Sequence, residues 1–179
     1  MSNLEGAVER FLNGDAAAFQ ELVDATSTRL VRLSARMLGN VADAEDVVQE
    51  AYVKAYRSLR EGQFDRRAKV ETWLYRIVVN ASIDARRKRT RRGPAVEIDD
   101  ETVMPAPEGQ SAGEARLALT ELADWLDQLP PDQQAALVLK AVEGRESAEI
   151  AEILSCSEGA VEQRLVRARA TLRQRRNES

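Results

Sequence analysis

An all-α fold of two small helical domains joined by a flexible linker is predicted by three features of the chain. Apolar residues recur at helical spacing over most of the 179 positions. No period-two run is bounded by turn signals, so strands are not expected. One stretch, residues 93–115, has neither period and holds three of the five prolines and three of the nine glycines, which reads as a linker. The expected division is a domain over residues 1–92, an acidic linker over 93–115 and a second domain over 116–179.

The elements follow in order. Asp15 is suited to cap a helix carrying Phe19, Leu22 and Val23. A second helix puts Leu30, Leu33, Met37 and Leu38 on one face and stops at Gly39-Asn40. Asp43 then opens a third, with Asp46 at its third position, where a carboxylate offsets the positive helix end. Val47, Ala51 and Ala55 form its apolar stripe, with Val48, Tyr52 and Leu59 beside it, and Gly62 ends it. After a basic loop at 63–69, a fourth helix runs from about Val70 to Arg89 and buries Trp73, Leu74, Ile77 and Val78. In the second domain, Leu119, Leu122, Ala123 and Leu126 make an amphipathic helix that stops at Leu129-Pro130. Pro131 suits the first position of the next helix, which buries Leu137, Val138, Ala141 and Val142 and ends at Gly144. Ser147 caps a short helix bearing Ile150, Ala151, Ile153 and Leu154. After the turn Ser155-Cys156-Ser157, a long helix carries Val161, Leu165, Ala168 and Leu172. A short helix, a tight turn and a longer basic helix have the proportions of a helix-turn-helix.

The formal net charge is -4, which argues against nucleic-acid binding until it is divided. Residues 1–92 carry 17 basic and 13 acidic side chains, net +4; residues 93–115 carry six acidic and no basic ones. Residues 163–179 carry six basic and one acidic, net +5. Two basic surfaces thus flank acidic material. With no histidine, His-based triads and His-containing zinc sites are excluded. No cofactor or metal is expected and no nucleophile–base pair is visible, so the chain does not read as an enzyme. Without a long apolar run or a leader-like start, and with one cysteine, Cys156, it is expected to be cytoplasmic.

Three constellations carry chemistry. The run Arg86-Arg-Lys-Arg-Thr-Arg-Arg92 has six basic residues in seven. It extends a helix bearing Trp73, Tyr75, Arg76 and Asn80 and follows the Arg66-Arg67-Lys69 loop. Rings and guanidinium planes stack bases while cations hold phosphates, which suits opened DNA; a solvated helix end is the plainer reading, and Trp73 by itself reads as core. The last helix exposes Gln163, Arg164, Arg167 and Arg169, and Gln and Arg pair bidentately with adenine and guanine. Asp46, Gln49 and Glu50 share one side of a helix: a solvated acidic face, or a dock for a basic partner. Cys156 reads as a small buried residue rather than a redox sensor.

Taken together, the chain resembles the bacterial RNA polymerase sigma factors of the extracytoplasmic-function group (ECF, group IV). Three ordered stretches carry the resemblance, which covers nearly the whole chain. Asp43 to Leu59 (Asp-Ala-Glu-Asp-Val-Val-Gln-Glu-Ala-Tyr-Val-Lys-Ala-Tyr-Arg-Ser-Leu) resembles regions 2.1–2.2. Thr72 to Asn80, with Asp84 and the basic run, resembles regions 2.3–2.4. Leu129-Pro-Pro, Glu143-Gly144, Glu149 to Leu154 and Gly159 to Arg169 resemble region 4. The resemblance implies a promoter-specificity subunit. Asp43, Asp46, Gln49, Glu50 and Lys54 would bind core polymerase at the beta-prime clamp coiled coil, with the beta flap as a further contact. Phe64, Arg66, Arg67, Lys69, Trp73, Arg76, Asn80, Asp84 and Arg87 would open and read the promoter -10 element, with a flipped base entering a pocket near the 64–69 loop. Ser157, Glu158, Gly159, Ala160, Glu162, Gln163, Arg164 and Arg167 would read the -35 element. The linker would thread the polymerase, and an anti-sigma factor would hold the protein inactive. Glu162 stands where a basic residue is common in the family, Gln163 where a small hydroxyl residue is, and Arg145-Glu146-Ser147 replaces a Leu-Ser-Tyr-like stretch. Two alternatives remain at this point: a stand-alone helix-turn-helix regulator, and a sigma-like decoy that captures an anti-sigma factor.

Overall fold

The computed structural model describes residues 3–64, 66–92 and 124–178, and all their regular structure is helical. The whole of the expected linker, 93–115, and residues 116–123 of the helix expected before Pro130 lie outside the described residues. Four helices form the first bundle: α1 (Asn3–Leu12), α2 (Ala18–Leu38), α3 (Val41–Arg60) and α4 (Val70–Arg92). A helical turn at 124–127 precedes the second unit, made of α5 (Pro131–Ala141), α6 (Ser147–Ile153) and α7 (Glu158–Glu178).

The first bundle differs from expectation in how its helices divide. The two helices expected over 15–38 are one continuous α2, because nothing between Val23 and Leu30 is Gly or Pro and Thr26 satisfies its hydroxyl on the Leu22 carbonyl (2.7 Å). Asp15 does not cap α2 directly; its carboxylate accepts from Ala17 N in the turn before it. The additional helix is α1, whose Val8 and Phe11 enter the core and whose Phe11 ring packs against Phe19 and Tyr56. Gly39 ends α2 at φ +72°, a conformation that favours glycine. Asn40, not Asp43, then caps α3, accepting from Asp43 N at 2.9 Å. Asp43 therefore takes the third position and Asp46 lies one turn further on. The buried stripe of α3 is Ala44, Val48, Ala51, Tyr52, Ala55 and Leu59, with Val47 only half-buried.

In the second unit Pro131 takes the first position of α5, as its fixed φ favours. The buried face of α5 is rotated from the expected one: Gln134, Ala135, Ala136, Val138 and Leu139 are buried, whereas Ala141 and Val142 are exposed. The reason is tertiary, since α5 packs on α7 and also on α2 and α4 of the first bundle. The cap of α6 is Glu146 rather than Ser147. Glu146 and Glu149 form a capping box, with Glu149 accepting from Glu146 N at 3.2 Å. Ser155 makes the turn at φ +50°, and Ser157 Oγ accepts from Ala160 N to cap α7.

Candidate functional site

Three outer surfaces and one seam hold the charged groups. On α3, the side opposite the core presents Asp43, Asp46, Gln49, Glu50 and Lys54, all exposed, with Val53 nearly half exposed among them. None of these side chains is needed by the bundle, because the small residues Ala44, Ala51 and Ala55 let α3 sit close on its neighbours.

The second surface is the loop before α4. Arg66 adopts φ +57° and lies 3.9 Å from Glu9 of α1. Phe64 packs on Trp73 with ring centroids 4.8 Å apart, so Trp73 is half-buried against the core instead of standing free. Loop and α1 border an open cleft of about 290 Å³, with Glu5, Val8 and Glu9 on the α1 side and Phe64, Arg66 and Lys69 on the loop side. Along α4, Asn80 and Asp84 are exposed and Arg87 bridges to Asp84. Residue 65 lies outside the described residues.

The third surface is α7. Val161, Leu165 and Ala168 are fully buried, which turns Gly159, Glu162, Gln163, Arg167 and Arg169 outward. Ala160 is half-buried. Arg164 departs from expectation: it is half-buried and donates to the Sγ of Cys156 (3.1 Å). Cys156 is half-buried in the same turn. Glu162 accepts from Ser147 Oγ, which links the outer helix to α6. Ser157 is exposed but its hydroxyl serves the cap.

The seam joins the two units and was not anticipated. The Glu143 side chain is only 6% exposed and accepts from Arg29 Nε (3.3 Å), Arg36 Nη1 (3.2 Å) and the Tyr75 hydroxyl (2.9 Å). Burial is the main cause that pushes the Tyr75 hydroxyl up to about 12, so it stays a donor. Arg145 reaches Glu71 (2.5 Å) and lies 4.6 Å from the Tyr75 ring centroid. Farther along α4, Arg86 is 3% exposed and donates to the carbonyls of Leu126, Asp127 and Leu129, with Met37 O at 3.5 Å. Arg86 therefore leaves the expected basic run and becomes a pillar between the units. Arg76 donates to Glu152 O, and Arg87 pairs with Asp132. The motif Glu143-Gly144 was visible in sequence, but its partners lie more than 60 residues away.

The exposed α3 face and the helix-turn-helix follow one another in that order along the chain. Residues 8–92 match the model of Sigma-70 region 2, and residues 119–172 match that of Sigma-70 region 4. The chain belongs to the extracytoplasmic-function sigma factors. This sigma factor is 34% identical to the ECF RNA polymerase sigma factor SigW of Bacillus subtilis, over 93% of its own length and 92% of that protein's. It is 33% identical to the ECF sigma-E factor of Escherichia coli, over 92% and 90% respectively. Its fold is similar to that of CnrH, solved in complex with the cytosolic domain of CnrY (TM-score 0.72, 26% identity, 99% of both chains). It is also similar to the sigma factor RpoE of Bartonella quintana, solved with the anti-sigma factor NepR (TM-score 0.66, 26% identity, 87% of this chain and 94% of that one). The family consists of transcription regulators, not enzymes. No helix among the described residues is long and apolar enough to cross a membrane.

Proposed function

We propose that this sigma factor acts in the cytoplasm as a promoter-specificity subunit: it binds core polymerase through α3, reads the -10 element with the 64–69 loop and α4, and reads the -35 element with α7. The observation that carries this reading is the pairing of an exposed acid and amide face on α3 with a helix-turn-helix whose outer helix turns Gln163 and Arg167 to solvent. Acidic side chains with no internal task suit a basic partner helix, and Gln and Arg are side chains that distinguish bases in the major groove. The division into residues 1–92, 93–115 and 116–179 is part of the proposal, with the acidic linker running through the polymerase.

The weak overall basicity fits a protein that borrows phosphate-binding surface from polymerase. Isolated binding to duplex DNA is then weak and steeply salt-dependent. The seam adds a requirement. Arg76 and Arg87 bond to α6 and to Asp132 at the start of α5, so reading DNA with α4 requires the two units to part. An anti-sigma factor is the proposed regulator, by analogy with the complexes of the similar structures.

Run-off transcription with purified core polymerase and a promoter library tests the proposal. Promoter-dependent transcripts are expected, and their absence from every template overturns it. Asp46→Ala with Gln49→Ala should abolish polymerase binding in a pull-down while leaving the helical circular-dichroism signal intact. A protein that binds an anti-sigma factor but never supports a transcript is a decoy, not a specificity subunit.

A further inference from the structure

Along α4, arginines that would face DNA are held by anionic or carbonyl groups of the second unit. Arg87 Nη2 lies 3.2 and 3.3 Å from the two carboxylate oxygens of Asp132. Arg89 Nη2 lies 3.6 Å from one oxygen of Asp127, and Arg86 Nη2 lies 3.8 Å from the other. Arg76 Nε donates at 3.0 Å to the Glu152 carbonyl in the last turn of α6. These acceptors all lie between residues 127 and 152, so each contact crosses the seam. Neither carboxylate is needed to fill a core, since the side chains of Asp127 and Asp132 are 44% and 40% exposed.

We infer that the seam is an autoinhibitory contact, in which Asp127 and Asp132 stand in for DNA phosphates on the arginines of α4. The inference rests on the proposed reading of the -10 element by α4. A carboxylate offers a guanidinium the same paired, negatively charged oxygens that a phosphate does. Being part of the same chain, it competes at an effective concentration on the order of millimolar. Dilute DNA therefore meets an α4 that is already occupied, and its apparent affinity falls by the fraction of molecules in which the units are apart. The α3 face assigned to polymerase lies outside the seam, with Asp43, Asp46, Gln49 and Glu50 exposed. Polymerase can thus bind the closed protein, and parting of the units then frees α4 for DNA. Asp127 and Asp132 lie outside every motif used in the sequence reading, and their role depends on the second unit folding back on α4.

The experiment measures binding of a fluorescein-labelled, mixed-sequence single-stranded oligonucleotide to the full chain by anisotropy at low salt. Asp127→Asn with Asp132→Asn should bind about tenfold more tightly than the natural protein. Asp24→Asn with Glu45→Gln removes the same charge at exposed positions away from the seam and should gain no more than about twofold. In holoenzyme with core polymerase, where the units are already apart, the gain of the seam variant should vanish. A further arm needs no change at the seam: energy transfer between dyes on α1 and the end of α7 should fall when core polymerase is added. Equal gains in the two double variants, no gain in the seam variant, or a gain that persists undiminished in holoenzyme overturns the inference. So does energy transfer that polymerase leaves unchanged. Tighter binding by the seam variant of a protein that supports no promoter-dependent transcript upholds the contact and removes the proposed function instead.

Discussion

The carboxyl-terminal half of α4 and the outer face of α7 are both rich in arginine, yet they use it differently. On α4, Arg86 is buried among carbonyls, Arg87 pairs with Asp84 and Asp132, and Arg89 reaches Leu38 O and Asp127. On α7, Arg167 and Arg169 are exposed beside Gln163. The difference arises from what lies opposite. The end of α4 faces the C-terminus of α2 and the turn at 126–129, both of which present carbonyls that no helix can satisfy. The outer face of α7 is held away from its own bundle by the buried Val161, Leu165 and Ala168. Composition alone assigns both stretches to DNA; the neighbouring groups divide them into a largely structural set on α4 and a set on α7 in which Arg167 and Arg169 are exposed.

The comparison can be broken most sharply at adjacent residues. Arg86→Ala strips several buried carbonyls of their donor and should cost about 3 kcal/mol, against less than about 1 kcal/mol for the half-exposed Arg87→Ala, as read by urea unfolding. Equal costs would mean that the basic run behaves as one solvated surface.

A step down in size is Glu143→Gln, which removes the charge shared by Arg29, Arg36 and Tyr75. Both arginines are partly solvated, so docking of the two units should weaken by about 2 kcal/mol, less than for a fully buried pair. Energy transfer between dyes on α3 and α7 should fall, with little change in helical content; an unchanged distance would deny the seam its role.

Next comes Arg167→Ala. It should leave thermal stability within about 0.5 kcal/mol and reduce the salt slope of holoenzyme binding to promoter DNA by about one. A change in melting without a change in slope would place Arg167 with Arg86 rather than opposite it.

The smallest expected effect is at Glu149. The Glu146 amide and then Arg145 hold its carboxyl below the usual carboxylate range. Such a group contributes stability above its unfolded pKa and loses it as pH falls through the lowered value. Glu149→Gln should therefore flatten acid unfolding near and below pH ~4. The side chain is 43% exposed, so the stability change should stay under about 1 kcal/mol. A parallel downward shift at all pH values would point to packing instead.

Much of this protein is written locally. The all-helical class, the stop at Gly39, the start at Pro131 and the helix-turn-helix follow from periodicity and from the conformational limits of Gly and Pro, which act within a few residues. The exposed α3 face is legible for the same reason, since a helix with one apolar stripe turns the rest outward. Other features have partners that no window of sequence contains. The turned face of α5, the burial of Arg86 and Gln134, and the gathering of Arg29, Arg36, Tyr75, Glu71, Glu143 and Arg145 depend on which surfaces meet. Glu5 is the clearest case. In sequence it is one acid in a short amphipathic stretch; only the packing of α1 against the start of α4 leaves one of its oxygens buried and without a donor. Backbone propensity determines where helices begin and end, whereas the low dielectric and scarcity of water between packed helices determine which charges must find one another.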